Sequence, residues 1–145
     1  MVAHFLGAEM SKKVRWQNRV ENFREEVERL VAGKEFKWKL DIKLKNIPEI
    51  PGVYVIIEKD CYLYVGETKD LRERLWKHGR ANISNSRFHK LLLEKRNINS
   101  KEDRKKFVLD RCSFKILEVK EAKEYRKSLE EFTINVLKPE LQLND

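Results

Sequence analysis

Cysteine, proline and glycine are scarce in this chain, which has 2, 3 and 5 of them among its 145 residues. Cys61 and Cys112 stand far apart, and neither has a second Cys or a His nearby at metal-ligand spacing. That argues against a zinc site and against a disulfide framework. So little glycine and proline rules out collagen-like and low-complexity chains. No run approaches the roughly eighteen apolar residues of a membrane span. The opening MVAHFLGAEMSKK puts its basic residues after a short apolar patch, the reverse of a signal peptide. Acidic residues are also in the minority, 24 against 32 Lys and Arg, for a net charge of +8. These absences describe an intracellular chain with no membrane partner, and the charge makes a polyanion its first expected partner.

Enough apolar material is present for one core, with 41% hydrophobic residues beside an unusually charged 39%. A chain of this length reads as one domain that buries roughly two thirds of its unfolded surface. Breaks at Gly33, Pro48 to Gly52 and Pro139 separate an arm, a body and a tail. Residues 1–47 are expected to form a helical and basic arm of the same compact unit, and residues 48–145 the body.

In the arm, Trp16, Val20, Phe23, Val27, Leu30 and Val31 recur at steps of three and four, giving an amphipathic helix that Gly33 ends. Phe36, Trp38, Leu40, Ile42 and Leu44 then alternate with Lys37, Lys39, Asp41, Lys43 and Lys45, a strand pattern with one basic face. Val53 to Ile57 and Tyr62 to Gly66 read as a hairpin, followed by helices at about 69–78 and 86–96. INSKEDRKK is expected to be a solvated loop. Phe114 to Val119 suggest a third strand, and residues 121–137 a closing helix with Ala122, Tyr125, Leu129, Phe132 and Val136 inward. Pro139 ends it.

Two tripeptides, Gly52-Val53-Tyr54 and Tyr64-Val65-Gly66, place their tyrosines ten residues apart. Arg74 follows Tyr64 by ten residues, His78 follows Arg74 by four, and Glu130 precedes Pro139 by nine. From about Pro51 to Pro139 this pattern resembles the GIY-YIG nuclease superfamily. The resemblance implies an α+β fold, a small three-stranded antiparallel sheet flanked by helices, that cleaves DNA with one divalent ion, Mg²⁺ or Mn²⁺. It implies Glu130 as metal ligand, Arg74 as phosphate clamp and Tyr64 as proton acceptor, with Tyr54 and His78 holding water or phosphate. The rival reading is a nucleic-acid-binding module of the same fold that has lost cleavage.

These residue types suit the chemistry. Hydrolysing a phosphodiester needs an oriented water, a proton acceptor and positive charge on the developing phosphorane. Arginine offers several donors in a fixed fork and stays charged at any working pH. Arg74 and His78, at i and i+4, share one helix face. Glu130 shares a column with Ile134 and Leu137, and a carboxylate beside apolar neighbours is costly unless paired or bound to a cation. The tyrosines depend on register. A shared active site favours a three-residue turn over Glu58-Lys59-Asp60, which would put both on one face, whereas a two-residue Lys59-Asp60 turn would put them on opposite faces unless a bulge intervened.

Two positions depart from the family pattern. Gln142 stands where an asparagine is frequent, with Asn144 two further on, and Glu67 follows the second tripeptide, where its charge could repel phosphate or help hold the metal. Lys37, Lys39 and Lys43 of the arm, with Lys69 and Arg72 of the body, are candidate phosphate contacts. His89 is assigned to surface or packing. Target choice would then come from the arm, the loops, a homodimer or a partner protein.

Overall fold

The computed structural model describes residues 7–38, 44–81 and 86–143, with side chains from residue 15 onward. The elements in chain order are α1 (Gly7–Ala32), β1 (Phe36–Lys37), β2 (Gly52–Glu58), β3 (Cys61–Thr68), α2 (Leu71–Arg80), α3 (Arg87–Arg96), α4 (Lys101–Arg111), β4 (Cys112–Glu118) and α5 (Lys123–Leu137). A short 3₁₀ turn, Glu140–Gln142, closes the described chain. The strands form one antiparallel sheet in the order β1-β4-β2-β3. The sheet therefore has four strands where three are expected, because Phe36 and Lys37 pair with Phe114 and Ser113 and add an edge. The rest of the expected arm strand is not borne out where it is described: Trp38 and Leu44 lie outside any strand and Lys45 is in a turn, while residues 39–43 lie outside the described residues.

β2 runs through the middle, and all seven of its residues are buried. Each face of the sheet carries its own core. Tyr54, Ile56, Tyr64 and Phe114 pack against Leu71, Leu75, Phe88, Leu92 and Val108 from α2, α3 and α4. Val53, Val55, Ile57 and Val65 pack against Phe23, Val27 and Leu30 of α1 and Leu129 of α5. The apolar stripe of α1 thus docks through its C-terminal half, while Trp16 and Val20, its continuation, stay exposed.

Of INSKEDRKK, expected as a loop, only residues 98–100 are one, and the helix begins at Lys101. Ser100 caps α4 by accepting from the Asp103 amide, and Glu102 and Asp103 favour its first turn. Only Val108 among its apolar side chains is fully buried, so the periodic signal is weak. Buried Arg104 adds a tertiary signal that periodicity misses, its guanidinium donating to the carbonyls of Ile98 and Asn99. In α5, Leu129 is buried as expected, but Ala122 precedes the helix and is exposed, and Val136 is 53% exposed. Thr133 is buried instead, donating to the Leu129 carbonyl within its own helix.

Trp38 fastens the arm to the body: its indole donates to the Leu75 carbonyl at 2.8 Å. A methyl group on Gly79 would come within 2.9 Å of that ring, so the close approach needs glycine.

Candidate active site

The favoured three-residue turn is not formed: the hairpin turns on Lys59-Asp60 alone, with Glu58 opposite Cys61, and a bulge follows. Ile57 pairs with Tyr62 while Ile56 pairs with Tyr64, which leaves Leu63 as the extra residue. Beyond the bulge Tyr54 faces Gly66, so Tyr54 and Tyr64 share a face as diagonal neighbours, with ring centroids 6.4 Å apart. The two-residue turn is thus reconciled with a shared face by the bulge. Tyr54 lies across Gly66, where a Cβ would come within 2.3 Å of its hydroxyl oxygen. Only glycine leaves room for the ring.

α2 starts at Asp70, whose side chain accepts from the Glu73 amide at 3.1 Å. That start brings His78 beneath the sheet, where Tyr54 Oη lies 2.7 Å from His78 Nε2. His78 Nδ1 in turn lies 2.8 Å from Ser86 Oγ, the residue that caps α3. Tyr54 is wholly buried and His78 nearly so. Burial, with the nearby Tyr64, raises the Tyr54 phenol well above its ordinary value, against the pull of Arg74. Burial, then His89 and Arg74, pushes the His78 imidazole well below the usual histidine range, so it is neutral at physiological pH. Tyr54 and His78 are therefore sealed against one another, whereas Arg74 stays half-buried on the same helix face.

Tyr64 keeps a little exposure at 7%. Its phenol is pushed up to about 12, first by burial and second by the Glu130 carboxylate, with Arg87 and Arg74 acting in the opposite sense. Glu130 projects from α5 to the free edge of β3, where one of its oxygens accepts from the Glu67 amide at 2.9 Å. Burial, followed by the charge of Glu67, raises the Glu130 carboxyl to about 6. Glu67 itself pairs with the buried Arg126 at 3.2 Å. Arg126 is i−4 to Glu130, a spacing that signals a basic group in the same helical column.

Gln142 meets the β3 edge as another strand would. Its side chain accepts from the Val65 amide at 2.7 Å and donates to the Val65 carbonyl at 2.8 Å. With Glu130 on the next outward-facing amide, the edge is closed by two side chains of the last helix and tail. Asn144 lies outside the described residues, as do Lys39 and Lys43.

Among the remaining candidates, Lys37 is exposed on β1 and Lys69 is exposed before α2. Arg72 is committed within the chain, donating to the carbonyls of Ile47 and Lys45 and to Glu49, so it staples the 45–49 segment to α2. Three residues absent from the sequence reading join the site: Ser86, Arg126 and the exposed Arg87 near Tyr64. His89, assigned to surface or packing, is fully buried, and its ring donates to the His78 carbonyl.

Among the described residues, no cluster of three or more His, Cys, Asp or Glu forms a cation cage. The donor set suits a less demanding mode, because Mg²⁺ keeps several waters and is commonly held by one or two carboxylates. Glu130 fits: it is partly desolvated beside a second acidic side chain, and among the described residues only one of its oxygens accepts a hydrogen bond. No helix among the described residues is long and apolar enough to cross a membrane.

A family model described as the GIY-YIG catalytic domain matches residues 50–144. UvrABC system protein C of Actinobacillus succinogenes is 44% identical over 50 residues, which are 34% of this chain and 8% of that protein. The protein of the same name from Mannheimia succiniciproducens is 42% identical over 50 residues, with the same shares. The match thus spans a small fraction of those relatives. Among solved structures, the GIY-YIG N-terminal endonuclease domain of UvrC from Thermotoga maritima, bound to magnesium, is similar at 19% identity and a TM-score of 0.40. That likeness covers 85% of this chain and 98% of the other. A point mutant of the same domain with its catalytic divalent cation gives 21% identity and a TM-score of 0.40, over 68% and 88% of the two chains.

Proposed function

The chain belongs to the GIY-YIG nuclease family, and on that premise we propose that it is a metal-dependent endonuclease that hydrolyses DNA phosphodiesters. The observation that carries the proposal is the grouping of Tyr64, Arg74 and Glu130 around the sealed Tyr54–His78 pair. The charge of Arg74 acts on Tyr54, Tyr64 and His78 alike, which supports a role for its guanidinium beside them.

In this reading Arg74 binds the non-bridging oxygens of the scissile phosphate and offsets the charge that grows on them. Tyr64 Oη takes the proton of the attacking water. It must first lose its own, and Arg74 and Arg87 are the groups that favour that loss. Tyr54 and His78 hold the floor of the site and exclude water from it. Glu130 would hold the divalent ion, Mg²⁺ or Mn²⁺, which when bound supplies positive charge to the leaving oxygen. Arg126 offsets the charge of Glu67, so that the phosphate meets fewer unpaired negative charges.

DNA as substrate, an intracellular location, and target choice through a homodimer or a partner protein complete the proposal. It is tested by incubating the full chain with plasmid, branched and single-stranded DNA in Mg²⁺, Mn²⁺ or EDTA. Cleavage of at least one substrate is expected with either ion and none with EDTA. Binding without cleavage in both ions would instead support the nucleic-acid-binding module.

The arm enters through salt dependence. Each lysine that neutralises a phosphate releases condensed counterion, with about 0.9 of slope per contact on a log-log plot of affinity against salt. Replacing Lys37, Lys39 and Lys43 together by Gln is expected to flatten that slope by up to about three units and to weaken all DNA sequences alike. An unchanged slope in a binding assay would remove the arm from the interface.

A further inference from the structure

α1 changes character along its length. From Phe23 onward its apolar stripe is buried in the body, and Glu21, Glu26 and Glu28 are paired with Arg24 and Arg29. The other end is basic. The sequence holds no acidic residue between Glu9 and Glu21 but four basic ones, Lys12, Lys13, Arg15 and Arg19. Arg15 and Arg19 are exposed one turn apart, a like-charged pair that repels unless an anion lies beside it. Trp16 and Val20 form the neighbouring column at the same spacing and are 60% and 45% exposed. A basic column thus borders an apolar one headed by an aromatic ring. Phe23 packs on Tyr125 and Phe132 of α5, the helix that carries Glu130. Trp16 lies about 10 Å of helix further out.

We propose that this end of α1 is a binding surface for a single-stranded segment of the DNA substrate, with phosphates on Arg15 and Arg19 and a base stacked on Trp16. The charge of the face calls for a polyanion and disfavours a second copy of the chain, because two copies joined through Trp16 would bring their arginines together. A double helix offers the face phosphates but no base plane, since its bases already stack on one another. A single strand offers both. Stacking is indifferent to base identity, so the surface selects the strandedness of the substrate rather than its sequence. α1 packs on the sheet face opposite Tyr54 and Tyr64, so the strand it holds is a flank and not the scissile phosphate. The choice of DNA rests on the endonuclease reading.

The test is fluorescence anisotropy of a labelled thymine oligonucleotide and of a labelled blunt duplex, with the full chain in EDTA, where binding is read without cleavage. Trp16→Ala is expected to weaken binding of the oligonucleotide about tenfold and of the duplex by less than about twofold. The exposed ring belongs to neither core, so the fold is kept. Trp16→Phe should retain most of the affinity, whereas Trp16→Leu, apolar but not aromatic, should not. Arg15→Gln together with Arg19→Gln should flatten the salt dependence of single-strand binding by up to about 1.4 units, at about 0.7 per phosphate. Unchanged oligonucleotide affinity in Trp16→Ala, or an equal loss for oligonucleotide and duplex, would overturn the proposal. So would a wild-type dimer in light scattering that Trp16→Ala converts to a monomer. A chain that binds the oligonucleotide through Trp16 but cleaves nothing with Mg²⁺ or Mn²⁺ would sink the endonuclease reading and leave this surface standing. Cleavage of duplex plasmid without oligonucleotide binding would do the reverse.

Discussion

Glu130→Ala is expected to abolish cation-dependent cleavage while leaving the fold and DNA binding largely intact. The side chain sits at the rim of the site rather than in either core, so its removal opens no large cavity. Full activity in that variant would end the assignment of the cation to Glu130. Glu130→Gln separates stability from function. The folded state holds the Glu130 carboxyl at about 6, above the usual carboxylate value of 4.5, so it binds that proton more tightly than the unfolded chain does. The resulting penalty is absent below about pH 4.5, grows as pH rises through about 6 and is complete above it. A neutral amide of the same shape, still able to accept from the Glu67 amide, escapes the penalty. Allowing for the partial solvent exposure of the group, the gain at pH 8 is about 1 kcal/mol, a rise in Tm of about 2–4 °C. Thermal denaturation of the metal-free protein at pH 8 and at pH 4 measures it, and an equal difference at both would refute this cause. For wild-type protein, cation affinity is expected to strengthen as pH rises through about 6, because proton and cation compete for one carboxylate.

How much of this was legible depends on whether a residue's role is local. Tyr54, Tyr64, Arg74, His78 and Glu130 were singled out by the resemblance to the family, and helical periodicity by itself added that Arg74 and His78 share one face. The side-chain column was enough to single out Glu130 from Glu131, and Glu130 is the one that reaches the Glu67 amide. Register was less legible. A two-residue turn alone separates the tyrosines, and only the extra residue Leu63 restores them to one face, a feature with no mark of its own in the sequence. α4 escaped because its burial rests on Val108 and on Arg104, a charged side chain satisfied by backbone carbonyls rather than by an apolar stripe. Ser86 was hidden for a related reason. Its partner His78 lies on a different helix, and a lone Ser reads as a cap or surface residue until the fold brings that ring to it. Arg72 shows the reverse failure: next to Arg74 it reads as equally available, yet three contacts with the 45–49 segment consume its guanidinium.

That contrast sharpens the expectation for Arg74. Arg72 and Arg74 sit two residues apart on α2, so their side chains leave the helix about 200° apart. Arg72 turns to the 45–49 segment, whereas Arg74 stands on the face of His78 and acts on both tyrosines. Arg74→Ala is expected to lower the single-turnover rate about a hundredfold or more, since one preorganised donor to a developing oxyanion is worth on the order of 3 kcal/mol. Arg74→Lys should recover only part of the loss, because an ammonium cannot bind two phosphate oxygens in parallel. A second effect follows from electrostatics. Arg74 lowers the pKa of Tyr64, so its removal should lift that phenol beyond its present value of about 12 and shift the rise of rate with pH to still more alkaline conditions. Arg72→Ala is the contrasting case: it should loosen the 45–49 segment and reduce stability with no such shift in the pH profile. A near-wild-type rate and an unshifted profile in Arg74→Ala would make it one more solvated arginine on a basic helix.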